Sequence, residues 1–298
     1  MNLSKGVYAA SITPLKNDLS VDLKKLVSYN KMLLANGCDG VVIMGTNGEA
    51  NSFSVNERRD ILTHCIKGGI SAQKIMFGTG CCALPDTVEL INHALGLGVN
   101  NLLVLPPFYY KGVSDQGVYD YYKVLIDTIN DQSVNIYLYH FPRLSGVSFS
   151  HDLIERLIND FPNEIVGIKD STGDFENMLA MIQRFPGFNV FSGTETHLTE
   201  TLKNGGMGAV SGTVNVTHNL AGMVYNNSSS HEADKLQGRL SQVRKICEKY
   251  PLIPLMKLLR SQIDEDDTWL IMRPPIVPLH MWDEQDTNFI LQELKAHK

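Results

Sequence analysis

Lys169 closes the apolar run Ile165-Val166-Gly167-Ile168 and opens the polar stretch Asp170-Ser171-Thr172-Gly173-Asp174. An amine at the mouth of a buried strand can do nucleophilic chemistry. A free lysine titrates near ~10.4 and is a poor nucleophile at neutral pH, whereas burial beside apolar residues favours the neutral form that attacks carbonyls. That is the requirement for a Schiff-base lysine. The ordinary alternative is a strand-end lysine that snorkels to solvent, so the reading depends on its neighbours. Upstream, the apolar segment Val134-Asn135-Ile136-Tyr137-Leu138-Tyr139 ends in a tyrosine and is followed by His140-Phe141-Pro142-Arg143-Leu144-Ser145-Gly146. Further upstream, Gly40-Val41-Val42-Ile43-Met44 runs into Gly45-Thr46-Asn47-Gly48-Glu49. This glycine-punctuated turn can present backbone N–H groups to an anion. A nucleophile, a phenol and an anion cradle thus each stand at the end of an apolar strand.

The elements that must position them alternate along the chain. Short runs bounded by Gly, Pro or Asn predict strands at Val7 to Thr13, Gly40 to Met44, Ile75 to Gly78, Asn101 to Leu105, Asn135 to Tyr139, Ile165 to Lys169, Asn189 to Ser192 and Gly208 to Ser211. Helical patterns lie between them at Val21 to Leu34, Ser54 to Lys67, Pro85 to Leu97, Asp115 to Ile129, Ser150 to Phe161, Asp174 to Phe185 and Glu195 to Lys203. Ser54-Val55-Asn56-Glu57 has the pattern of a capping box. Eight parallel units in one chain of this size predict an α/β fold, a closed (β/α)8 TIM barrel spanning residues 1–225. Residues 226–298, with helical patterns at His231 to Lys249, Pro251 to Ile263 and Asp283 to Lys298, are expected to form an appended C-terminal helical region that supports packing or assembly.

Composition narrows the function. A chain of 298 residues, 43% hydrophobic and 19% charged, can bury one large core. A net charge of −6 without a run of Lys and Arg argues against a nucleic-acid surface. The segment Met1 to Gly6 lacks the apolar core of a signal peptide, and no apolar stretch approaches the length of about 20 residues that spans a membrane, so a cytoplasmic protein is expected. Five cysteines without CxxC spacing read as free thiols, with Cys81-Cys82 on a loop near the barrel mouth. The nine histidines show no HExxH or similar spacing, so neither a metal nor another cofactor is expected.

TIM-barrel active sites are built at the carboxyl ends of the strands, where Lys169, Tyr139 and the Gly45 turn all fall, on strands six, five and two. They are expected to converge on one pocket. A nucleophilic amine, a phenol that shuttles a proton and donors for a carboxylate suit an α-keto acid, most simply pyruvate.

At this point the sequence resembles the pyruvate-dependent class I aldolases and lyases that include dihydrodipicolinate synthase, N-acetylneuraminate lyase and 2-keto-3-deoxygluconate aldolase. The resemblance runs from about Gly6 to Leu294. It rests on the GxxGE turn, Pro106-Pro107-Phe108-Tyr109-Tyr110, Tyr139-x-x-Pro142, Gly167-Ile168-Lys169 and Gly205-Gly206. It implies that Lys169 forms the imine with pyruvate and that Tyr139 transfers protons. It also implies that Thr46 and Tyr109 continue the relay, Tyr109 reaching into a neighbouring subunit, and that the amides of Thr46 and Asn47, in the turn with Gly48, hold the carboxylate. A homotetramer built as a dimer of dimers is implied as well.

Departures from the family pattern bear on the second substrate, a small aldehyde. Asn47 stands where the family usually has a hydroxyl residue; it can donate a hydrogen bond but cannot relay a proton in the same way. Dihydrodipicolinate synthases usually carry an arginine two residues beyond Pro142, where this chain has Leu144, with Arg143 one position early. Leu144-Ser145-Gly146-Val147 is closer to the sialic-acid lyase pattern. After strand seven, Gly193-Thr194-Glu195-Thr196 offers a carboxylate where that lyase uses acidic residues against substrate hydroxyls. Ser171 and Ser211 add hydroxyl-compatible contacts. The expected activity joins or cleaves pyruvate and a hydroxylated aldehyde, as in a 2-keto-3-deoxy sugar acid or a sialic-acid-like compound. Synthesis of 4-hydroxy-tetrahydrodipicolinate from pyruvate and aspartate semialdehyde, with Arg143 as the substitute arginine, is one alternative. The other is a non-catalytic small-molecule-binding regulator, against which retention of both Lys169 and Tyr139 counts.

Overall fold

The structure, a computed structural model, describes residues 3–296. Eight parallel strands, β1 (Gly6–Ala10), β2 (Gly40–Ile43), β3 (Ile75–Gly78), β4 (Asn101–Val104), β5 (Asn135–His140), β6 (Ile165–Asp170), β7 (Asn189–Ser192) and β8 (Gly208–Ser211), close in sequence order into a barrel. The expected (β/α)8 architecture is therefore present. The first strand is shorter than expected: past Ser11, the Ile12 amide donates to the Asn215 side chain at 3.0 Å rather than to a neighbouring strand.

Around the barrel run α1 (Leu23–Ala35), α2 (Val55–Lys67), α3 (Leu84–Gly96), α4 (Asp115–Ile129), the short α5 (Pro142–Ser145), α6 (His151–Asp160), α7 (Phe175–Arg184), α8 (Leu198–Lys203) and α9 (Val214–Asn226). The capping box at α2 forms as expected, with Ser54 accepting from the Glu57 amide and Glu57 reaching back to the Ser54 amide. The helix expected over Glu195 to Lys203 begins instead with a 3-10 turn at Glu195–His197. Three further helices follow, α10 (Ala233–Cys247), α11 (Leu252–Asp264) and α12 (Glu284–Lys295). The last two residues of the helix expected to end at Lys298 lie outside the described residues, as do Met1 and Asn2. Among the described residues, no helix is long and apolar enough to cross a membrane.

Strand residues alternate between two cores, because successive side chains point to opposite faces. One face packs on the helices. The other fills the barrel with Tyr8, Val42, Met76, Leu103, Tyr137 and Phe191. The Tyr137 hydroxyl accepts a hydrogen bond from the Leu3 amide at 3.1 Å. Gly167 has a specific reason to lack a side chain: a Cβ there would lie 2.7 Å from the Tyr137 ring. Two residues on, the same inward face of β6 carries Lys169.

Candidate active site

Tyr139 and Lys169 are register partners on β5 and β6, so their side chains leave the sheet on the same side and meet. Lys169 Nζ donates to Tyr139 Oη at 3.3 Å, and Tyr139 Oη lies 3.1 Å from Thr46 Oγ1. Three strand ends are thus linked by one hydrogen-bonded chain. Lys169 and Tyr139 are each 4% exposed, at the floor of a cavity of about 1120 Å³. Thr46, Asn47, Ser171, Gly193 and Arg143 also line that cavity.

The turn after β2 is held in an uncommon backbone. Met44 and Glu49, both non-glycine, have φ of 59° and 60° and bracket Gly45 to Gly48. Such residues persist where their surroundings over-determine them, and they concentrate at functional sites. Here Thr13 Oγ1 donates to the Gly48 carbonyl at 2.8 Å. The Glu49 carboxylate is fully buried, 2.5 Å from the ammonium of Lys257 on α11. Burial pushes the Lys257 amine down from its ordinary range, while the Glu49 charge opposes that shift. Gly48 is not among the residues that line the cavity, and its carbonyl accepts from Thr13.

Two expectations are corrected after β7 and β8. Glu195 is fully buried and turned away from the cavity, and Ser211 is buried beside it. Thr194 is extended (φ −138°, ψ 144°), so its neighbour faces the opposite way, and Glu195 enters the 3-10 turn behind the wall. Its carboxylate accepts hydrogen bonds from Ser211, Thr213 and Thr217, and Arg244 Nη1 of α10 lies 3.8 Å away. A buried charge must be paired in this manner. Glu195 therefore engages both carboxylate oxygens with these buried hydroxyls and is absent from the cavity lining. Thr194, Thr196 and His197 line the cavity in its place. Gly193 is required at this corner, since a Cβ would come within 2.3 Å of Ser171 Oγ.

Tyr109 does not line the cavity of its own chain. It is 74% exposed and packs edge-on against Tyr110.

The cavity wall extends beyond the barrel, which local sequence reasoning missed. Arg244 and Glu248 close one side, and the segment Pro275 to His280 closes another. Arg273 anchors that segment, donating to the Ser52 carbonyl at 2.7 Å and to Glu57, whose carboxyl is thereby held down at about 2. The C-terminal region shapes the pocket as well as packing on the barrel. Among the described residues, no group of three His, Cys, Asp or Glu side chains could hold a metal ion. Cys81 and Cys82 are free thiols, Cys81 accepting from Arg58 at 3.0 Å.

With this geometry in place, comparison with known proteins gives a consistent result. The model of the dihydrodipicolinate synthetase family matches residues 3–294. An uncharacterized DapA-like lyase of Chloroflexus aurantiacus is 33% identical over 284 residues, covering 92% of each chain. Among solved structures, dihydrodipicolinate synthase of Agrobacterium tumefaciens superposes with a TM-score of 0.88 at 28% identity, covering 99% of both chains. YagE of E. coli, a prophage protein of the dihydrodipicolinic acid synthase family solved in complex with pyruvate, gives 0.85 at 25% identity, also covering 99% of both chains.

Proposed function

The chain belongs to the dihydrodipicolinate synthetase family, and from that premise we propose that Lys169 forms an imine with pyruvate and that the protein joins or cleaves pyruvate and a hydroxylated aldehyde. Members of the family are class I pyruvate-dependent lyases and aldolases, and this chain is one of them. The observation that carries the residue assignment is the contact of Lys169 Nζ with Tyr139 Oη at 3.3 Å, itself 3.1 Å from Thr46 Oγ1.

In the proposed sequence, Nζ attacks C2 of pyruvate. Tyr139 passes one proton from the nitrogen to the former carbonyl oxygen and a second drawn through Thr46, so that the oxygen leaves as water while the nitrogen keeps one proton and its lone pair closes the C=N bond of an iminium. Loss of a C3 proton from the iminium gives a neutral enamine, C3 bonds to the aldehyde carbon as the aldehyde oxygen takes up a proton, and water hydrolyses the resulting iminium to restore the amine. The Thr46-Asn47 turn holds the pyruvate carboxylate throughout. The contacts of Tyr139 with both Lys169 and Thr46 support it as the group that moves each proton.

A hydroxylated partner is supported by the lining: Ser171, Thr194 and Thr196 line the same cavity as the lysine, and Glu195 has no part in that support. A second reading, with aspartate semialdehyde as partner, is favoured by Arg143, which lines the cavity together with Leu144. We also propose a homotetramer in which Tyr109 completes a neighbour's site, and treat residues 226–298 as a helical extension of a 1–225 barrel. Trapping with pyruvate and borohydride, followed by mass analysis of Lys169, tests the imine.

A further inference from the structure

We propose that Arg244 is a specificity-determining residue that binds a carboxylate at the far end of the aldehyde partner, an inference that rests on Lys169 being the imine-forming group. Arg244 projects from α10 over the ends of β7 and β8. Its side chain is 13% exposed and lines the same cavity as Lys169.

The guanidinium is held from behind. Nη1 donates to Thr213 Oγ1 at 3.1 Å and to Ser211 Oγ at 3.3 Å, and lies 3.8 Å from the buried Glu195 carboxylate. Nε donates to Glu248 at 2.8 Å. None of these contacts uses Nη2. A guanidinium held through Nη1 and Nε on a residue that lines the cavity is pre-organised for an oxyanion, because little rotamer freedom remains to be lost on binding. Buried Glu195, expected to touch substrate, instead orients the residue that does.

The charges of the lining point the same way. Arg143 and Arg244 both face the cavity, whereas Glu248 is the one carboxylate among the described lining residues. Glu248 is 49% exposed, so solvent screens its pairing with Arg244. The pyruvate carboxylate is assigned to the turn after β2, across the barrel from β6. A second anion is therefore accommodated at Arg244, and the substrate class becomes a hydroxylated aldehyde acid.

The test compares aldehydes that differ at one end only. Tartronate semialdehyde and glyceraldehyde have the same hydroxylated carbon frame, with a terminal carboxylate in the first and a hydroxymethyl in the second. With pyruvate and the full-length protein, kcat/KM for adduct formation should favour the acid by about tenfold to a hundredfold, the scale for hydrogen bonds to a charged group. Arg244→Gln should bring that ratio close to one through KM, and Arg244→Lys should restore part of it; Arg143→Gln should lower it less than Arg244→Gln does. Equal use of the two aldehydes by the wild-type protein overturns the proposal without any variant, which covers the case in which Arg244→Gln does not fold. Loss of the preference in Arg143→Gln with its retention in Arg244→Gln also overturns it, as does a preference for glyceraldehyde 3-phosphate over the acid. Borohydride trapping of pyruvate on wild-type Lys169, read in parallel, separates failure of this proposal from failure of the imine assignment.

Discussion

Lys257 on α11 reaches the turn after β2 and places its ammonium 2.5 Å from the carboxylate of Glu49, with both side chains fully buried. Glu49 ends the turn that carries Thr46 and Asn47, and its left-handed backbone leaves few ways to relax. The ammonium also donates to the Ile271 carbonyl at 2.9 Å, which ties the turn to the segment after α11. A C-terminal helix thus fixes the geometry of the proposed carboxylate cradle.

Removing one partner of such a pair leaves an uncompensated buried charge. Lys257→Met should lower the free energy of unfolding by about 3–5 kcal/mol in denaturant titration. The double variant Glu49→Gln with Lys257→Met should recover part of that loss, because no charge then remains buried. An unchanged midpoint in the single variant would contradict the assigned role of the pair.

The eight strands were legible because each is a short apolar run closed by Gly, Pro or Asn, and the α2 cap because it is written within four consecutive residues. Helix α9 was not legible. Asn215, Thr217 and His218 are buried along with Val214, Val216, Leu220, Ala221 and Val224, so no polar face marks its period. Glu195 was misplaced by one step of side-chain direction, which spacing alone does not resolve. Arg244 and Lys257 could not be linked to the site from sequence, since ion pairs between segments far apart in the chain have no local pattern. Lys169, Tyr139 and Thr46 were legible because the barrel places strand ends together.

The phenol of Tyr139 touches both the proposed nucleophile and Thr46. Tyr139→Phe keeps the ring packing and removes the hydroxyl, so turnover should fall by about a hundredfold or more while the fold survives. Steady-state kinetics beside a circular dichroism melt check this. Near-normal turnover in a folded variant would reject the proton-transfer role.

Tyr109 is 74% exposed and apart from its own cavity. If it completes a neighbour's site, dilution or interface substitution that yields a folded monomer should remove activity together with assembly. Light scattering and activity measured on the same samples decide the matter, and full activity in a verified monomer would exclude the shared site.

The central claim is the imine on Lys169, and intact-mass spectrometry after incubation with pyruvate and borohydride tests it most directly. Hydride reduces the C=N bond to a stable amine, so the wild-type protein should gain one pyruvate-derived group, located on Lys169 by peptide mapping and absent from Lys169→Ala. No adduct on the wild-type protein, or an adduct that persists in Lys169→Ala, would contradict the account.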